Sequence, residues 1–277
     1  MKKKKSAGEK KLAVLFLTRD SLHQGKPWFS FLKSGGDFCS VYGHAKHPLQ
    51  IRQQFLKNAQ IKRQIKTEWG TISLVKAALC LLREAFQDDK NEYFLLASES
   101  CMPIYDFKET YDYIKKINKS FIYNYKSDPT EAYKRWRRFR YYNFFWSIVK
   151  RKNLNIPENC FKKQSQWMLL RRDHVKLLLN NIHTLEFSFV PAPDEHYFIN
   201  VLNHYCPNFK EENVNYPLTL VDWVGGNGGH PNTFKSININ EVKKFNATEM
   251  FLDKPEKPTN AKHLFVRKVW FDAEITK

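Results

Sequence analysis

The chain contains no Asp-x-Asp, no GxGxxG, no GxxxxGK[ST] and no HExxH anywhere in its 277 residues. Its one glycine cluster, Gly225-Gly226-Asn227-Gly228-Gly229, runs into His230-Pro231 and fails the dinucleotide spacing. Rossmann-type cofactor binding, P-loop phosphate binding and zincin hydrolysis therefore lack the residues their geometry requires. Cysteine is sparse and scattered: Cys39, Cys80, Cys101, Cys160 and Cys206 form no CxxC pair. That removes zinc ribbons and thioredoxin-like redox chemistry and fits reduced thiols. Long apolar runs are missing as well, since the stretch Leu12 to Leu17 is too short for a signal-peptide core or a membrane span. The chain reads as soluble with no membrane span, and the cytoplasm is the expected compartment. Acidic residues are few, 28 against 46 Lys plus Arg, for a formal charge of +18. Such an excess implies an anionic partner (nucleic acid, a nucleotide diphosphate or an acidic membrane surface) or plain lysine-rich solvation of the surface.

What is present is ample for a folded core: 42% hydrophobic and 15% aromatic residues. The spacing predicts one domain over residues 12–277 behind a disordered basic start at 1–11. Leu12 to Leu17 is a continuous apolar run suited to a central parallel strand. Pro27 opens a helix that Gly35-Gly36 stops, and Phe38 to Tyr42 reads as a second strand. From Thr71, Val75, Ala78, Leu79, Leu82 and Phe86 mark one buried helix face. Tyr93 to Ala97 is the next strand, Asp106 to Ile117 a helix and Phe121 to Tyr125 extended. Alternating strand and helix argue for a βαβ architecture with a mostly parallel sheet. Further on come a strand at Trp167 to Leu170, helices from Asp173 and Asp194, and short strands near Leu218 to Trp223 and His263 to Val266.

Several constellations carry possible chemistry. The strand Tyr93 to Ala97 ends abruptly in Ser98-Glu99-Ser100, where open α/β sheets place their ligands. One carboxylate between two hydroxyls is a poor divalent-cation site. Asp194-Glu195 puts two acids at a helix start, where they serve either as caps or as a base. The segment Lys134 to Trp146 interleaves basic and aromatic residues, the pattern of a nucleic-acid surface or of an acceptor-side loop. Trp167 and Trp223 offer faces for a sugar or nucleobase, or simply core packing. Two N-glycosylation sequons, at Asn118 and Asn246, are expected to be unused.

Taken together the motifs resemble the Core-2/I-branching glycosyltransferase family (glycosyltransferase family 14), and especially its plant branch. The resembling segments are Leu15 to Arg19, Pro27-Trp28, Ser40 to Ala45, Trp69-Gly70-Thr71-Ile72-Ser73, Phe94 to Ile104 and Tyr111 to Ile114. They continue through Gln164-Ser165-Gln166-Trp167, Asp194-Glu195-His196-Tyr197, Leu218 to Trp223 with His230-Pro231, and Leu264 to Lys268. All run in the family's order. Two positions depart from it: Gln164 stands where the family has glycine, and Asn232 where animal members carry a diphosphate-binding arginine.

The resemblance implies a GT-A-like α/β/α sandwich with a mostly parallel central sheet. It implies an inverting glycosyltransferase that works without metal or other cofactor. The donor is a UDP-sugar, with UDP-N-acetylglucosamine first, and the acceptor is a hydroxyl of a glycan or glycoprotein. Glu195 becomes the catalytic base, and Lys268 with Arg267 the cations for the donor diphosphate. Thr18, Arg19, Ser98, Glu99, Ser100, Gln166, Trp167, Asp194, Trp223, His230 and Thr233 are the candidate donor or acceptor contacts. Two other readings stand beside it: a nucleic-acid-binding protein built on residues 134–146, and a catalytically silent glycan-binding relative.

Overall fold

The computed structural model describes residues 9–125, 130–142, 154–226, 230–245 and 261–276, with side chains of 139–142 left out. The basic start at 1–8, the end of the basic aromatic stretch at 143–146, the glycines at 228–229 and the sequon at 246–248 lie outside these residues.

The chain opens with β1 (Lys11–Thr18), α1 (Gly25–Gly35), β2 (Cys39–Ala45), the short α2 (Gln54–Asn58), α3 (Ile72–Phe86) and β3 (Asn91–Ala97). β1 lies between β2 and β3 and pairs parallel with both, so Val14 faces Val41 on one side and Leu95 on the other. A strand hydrogen-bonded on both edges and covered on both faces meets no water, which is why Leu12 to Phe16 are all apolar and fully buried. The chain moves one way from β1 to β2 and back past β1 to β3. Right-handed crossovers in opposite directions put α1 and α3 on opposite faces of the sheet. Thr71 caps α3, accepting the Ser73 N–H at 3.3 Å. The C-terminal ends of β1 and β3 then meet at one edge, where the Arg19 N–H reaches Glu99 Oε2 at 3.3 Å and the His23 N–H reaches the Glu99 carbonyl at 2.8 Å.

Next come β4 (Met102–Pro103), α4 (Phe107–Ile117), β5 (Ser120–Phe121), β6 (Asn124–Tyr125), α5 (Thr130–Tyr142), β7 (Lys163–Gln164), β8 (Leu169–Arg171) and α6 (Arg172–Asn180). The last elements are α7 (Tyr197–Tyr205), α8 (Phe209–Glu212), β9 (Asn213–Val214), β10 (Thr219–Val221), β11 (Phe234–Asn238), α9 (Ile239–Lys244), β12 (Phe265–Arg267) and β13 (Val269–Thr276). The main sheet has the order β2-β1-β3-β8-β5-β9, and within it β8 alone runs against the others. The fold is α/β with a mostly parallel central sheet, as expected.

Two small sheets bring the late segments to the mouth of the main one. β4, which follows directly on the Ser98–Ser100 turn, pairs antiparallel with β12, and β12 pairs parallel with β10. Arg267 is thereby fixed beside the end of β3, with Val221 opposite it in the register. β6 and β7 pair so that Tyr125 faces Lys163.

Several boundaries differ from the sequence expectation. Lys11 already belongs to β1 and pairs with Asp88 at 3.1 Å, and the Tyr111 hydroxyl bonds the Lys10 carbonyl, so the ordered chain begins before residue 12. Phe38 sits in a 3-10 turn before β2. Phe121 to Tyr125 divides into β5 and β6, which belong to different sheets. Pro193–Glu195 forms its own 3-10 turn, the α-helix starts only at Tyr197, and Asp194 caps nothing. In α5, Ala132, Tyr133 and Trp136 are buried while Lys134, Arg135, Arg137 and Arg138 are exposed. Trp136 packs on Phe161 and Phe187, with ring centroids 5.6 and 6.3 Å away. That tryptophan is core and has no free face for a base.

Candidate functional site

An open pocket of about 670 Å³, counted out to solvent, lies where these late segments converge on the end of the main sheet. Its wall includes Gln166, Trp167, Asp194, Glu195, Trp223, His230, Arg267 and Lys268. Its lining comes from seven separate stretches between Trp69 and Lys268, and β12 and β10 bring the late ones to the Ser98 turn.

The two acids sit in different surroundings although they are neighbours in sequence. Glu195 is partly exposed, and its Oε2 lies 3.2 Å from Lys163 Nζ. This ion pair holds the carboxylate in one orientation at the pocket wall. Asp194 is turned inward and buried, and its Oδ1 has no hydrogen-bond partner among the described residues. Burial, with the Glu195 charge beside it, pushes the Asp194 carboxyl up to about 7. The next residue, His196, is pushed down to about 4 by burial; its ring is fixed by the Lys162 carbonyl at 3.0 Å and stacks on Phe161.

Across the pocket Arg267 stacks its guanidinium over Trp167, 4.7 Å from the ring centroid, and its Nε donates to Ser98 Oγ at 3.3 Å. Burial lowers its pKa, and burial together with the Arg267 charge lowers that of Lys268. Two adjacent cations that disfavour each other's charge in a partly dry site are relieved by a bound anion. Trp223 adds a second unmet group, since its buried Nε1 has no hydrogen-bond partner among the described residues.

Not every residue singled out from sequence reaches this pocket. Thr18, Arg19, Glu99, Ser100 and Thr233 do not line it. Thr18 Oγ1 bonds the Asp20 carbonyl, and the Glu99 carboxylate is engaged by the Arg19 N–H. Ser98 touches the site only through Arg267, and Ser100 is tied to Val269 through its carbonyl at 2.9 Å. The two departures from the family pattern have structural roles. Gln164 is fully buried and its Oε1 accepts the Ile199 N–H at 2.6 Å, which ties β7 to the helix behind Glu195. Asn232 donates to Asp222 Oδ2 at 2.9 Å and, with the Gly225 N–H on Oδ1 at 2.8 Å, closes the loop below Trp223. A Cβ on Gly225 would lie 2.5 Å from Asp222 Oδ2, so this close approach needs glycine.

Sequence reasoning passed over Lys163 and Tyr125 as site residues and named Trp69 only within a family motif, not as a contact. Trp69 is 82% exposed at the pocket rim, presented by Gly70 at φ 71°, a left-handed conformation suited to glycine. The signal for Trp69 was available, because a tryptophan before glycine in a polar stretch has no apolar face to join. Lys163 carried no signal, being one basic residue among many until β6 and β7 pair.

The profile of the Core-2/I-branching enzyme family matches residues 12–249, and the chain belongs to this family of glycosyltransferases. That stretch contains Glu195 and ends before Arg267 and Lys268. The chain is 27% identical over 269 residues to glycosyltransferase BC10 of rice (Oryza sativa subsp. japonica), an alignment covering 82% of this chain. It spans 63% of that relative's length. Among solved structures it resembles apo mouse xyloside xylosyltransferase 1 at a TM-score of 0.36 and 8% identity, over 77% of this chain and 88% of that one. No helix among the described residues is long and apolar enough to cross a membrane.

Proposed function

We propose that the protein is an inverting glycosyltransferase that moves a sugar, N-acetylglucosamine first among the candidates, from a UDP-sugar to a hydroxyl of a glycan or glycoprotein. The observation that carries this reading is one pocket walled by a carboxylate, Glu195, and by an adjacent pair of cations, Arg267 and Lys268. Inversion needs a base on the face of the sugar opposite the leaving group. Glu195 removes the proton from the acceptor hydroxyl as its oxygen attacks the anomeric carbon, while the bond to UDP breaks on the far side. Lys163 holds the carboxylate for this step. Arg267 and Lys268 meet the charge that grows on the departing diphosphate, where fixed cations lower the barrier most.

The same cations give a reason for chemistry without a metal, because the diphosphate charge is met by side chains. Asp194 and Trp223 also line this pocket, beside Glu195 and across from the cations. Trp69, exposed at the rim, offers a flat apolar face to a sugar ring.

The test is release of UDP from a panel of UDP-sugars with mixed glycan acceptors, with and without EDTA, comparing wild type with Glu195→Gln. Release that resists EDTA and is lost in the variant is the expected result. No turnover and no UDP binding would leave the silent glycan-binding relative as the better reading.

A further inference from the structure

Away from the pocket, three potential metal ligands from three different helices converge. His174 lies in the first turn of α6, Cys206 directly follows α7, and Glu212 ends α8. Their ligand atoms all lie within 4.8 Å of one another. His174 Nε2 is 3.0 Å from Glu212 Oε2 and 3.9 Å from Cys206 Sγ. None of the three lines the sugar pocket.

We propose that His174, Cys206 and Glu212 form a binding site for a zinc-class divalent ion that ties α6, α7 and α8 together. The donor set of one imidazole nitrogen, one thiolate and one carboxylate oxygen matches borderline-soft ions and excludes magnesium and calcium. Bond lengths of about 2.0 Å to nitrogen and oxygen and about 2.3 Å to sulfur put tetrahedral ligands roughly 3.3 to 3.6 Å apart. The observed separations need only small side-chain rotations to reach that. The other face of the imidazole is already prepared. His174 Nδ1 lies 2.7 Å from Ser120 Oγ, a buried hydroxyl that also accepts the Arg171 N–H at 2.9 Å. With its proton on Nδ1, the ring donates to Ser120 and presents Nε2 to the ion, the outer-shell arrangement that orients a metal-binding histidine. Phe209 packs edge-on against the imidazole with ring centroids 5.0 Å apart and walls one side. The nearby Arg171 guanidinium is paired with Asp173 at 2.7 Å. On binding, the Cys206 thiol gives its proton to solvent, the His174 proton sits on Nδ1, and the fourth position is left to water.

A simpler alternative is that His174 is a buried histidine satisfied by Ser120 and Glu212, with Cys206 adjacent by accident. The two differ in what the thiol does. The test uses the whole chain without an affinity tag, stripped with chelator and titrated with Co(II), then Zn(II). The expected result is a thiolate-to-cobalt charge-transfer band with tetrahedral d–d bands, displaced by zinc and absent in Cys206→Ala. Zinc should also slow alkylation of Cys206 by roughly tenfold or more while leaving the exposed Cys160 unchanged, both read by peptide mass spectrometry. Glu212→Gln should weaken cobalt binding by roughly ten- to a hundredfold while the fold is retained. Bands that persist in Cys206→Ala, or alkylation indifferent to saturating zinc, would overturn the proposal. Sugar transfer does not run through this ion, so a chelator effect on activity that Cys206→Ala abolishes belongs here and not to the donor site.

Discussion

From Lys11 to Ala97 the chain alternates strands of seven or eight residues with helices, whereas from Leu154 onward β7, β8, β9, β10 and β12 hold only two or three residues each. The first region spends its residues on burial, with Leu12 to Phe16 and Tyr93 to Ala97 nearly free of solvent. The second leaves Asp194 Oδ1 and Trp223 Nε1 at the pocket without a partner among the described residues, and holds its path with side-chain bonds such as Gln164 to Ile199. A regular sheet supplies rigidity. Irregular segments laid across its open end can bring acids and cations together, because short strands leave each loop free to turn a side chain inward.

The sharpest way to break this contrast is at Glu195. Glu195→Gln should cut turnover by roughly a hundred- to ten-thousandfold, as expected for loss of a general base. Melting temperature should barely move, since the side chain is partly exposed and its ion pair with Lys163 is also partly exposed. A variant that unfolds, or that keeps its rate, would erase the division of labour.

Leu95→Ala tests the other region. This side chain is buried in β3 beside β1 and β8, and truncation should cost about 2 to 5 kcal/mol of stability by denaturant unfolding.

Asp194→Asn separates the two regions by pH. A carboxyl raised to about 7 holds its proton more tightly when folded than when unfolded. Wild-type stability should therefore fall as pH rises from about 4 to about 7 and level off above, by at most about 4 kcal/mol. The Asn variant lacks that fall. Its advantage over wild type in melting temperature should be greater at pH 8 than at pH 5, and an equal difference at both would reject the buried acid.

The smallest effect is expected at Thr71. Its hydroxyl caps α3, so Thr71→Ala should cost roughly 1 kcal/mol in thermal or denaturant unfolding without altering donor affinity.

Much of the first region was legible because local pattern and tertiary burial agree there. The apolar run at 12–17, the helix face from Val75 to Phe86 and the strand at 93–97 all lie where periodicity puts them. The second region misled at points where local chemistry is overruled. Asp194 looks like a cap, yet the turn from Ala192, at φ 44°, points it inward and delays the helix to Tyr197. Trp136 sits in a basic run and looks free to stack, yet helical spacing carries it to the core with Tyr133. Gln164 and Asn232 look like weakened family positions, and only their partners, Ile199 and Asp222, give them a role.

The sequence by itself determined the family, the alternation of strand and helix, and the identity of Glu195, Arg267 and Lys268 as candidates, because motifs and periodicity are written locally. The tertiary structure alone decided that Lys163 pairs with Glu195, that Arg267 stands over Trp167 beside Ser98, and that Asp194 is buried while its neighbour is not. Those relations depend on strand register and on which faces lose their water, quantities that exist only once distant segments have packed.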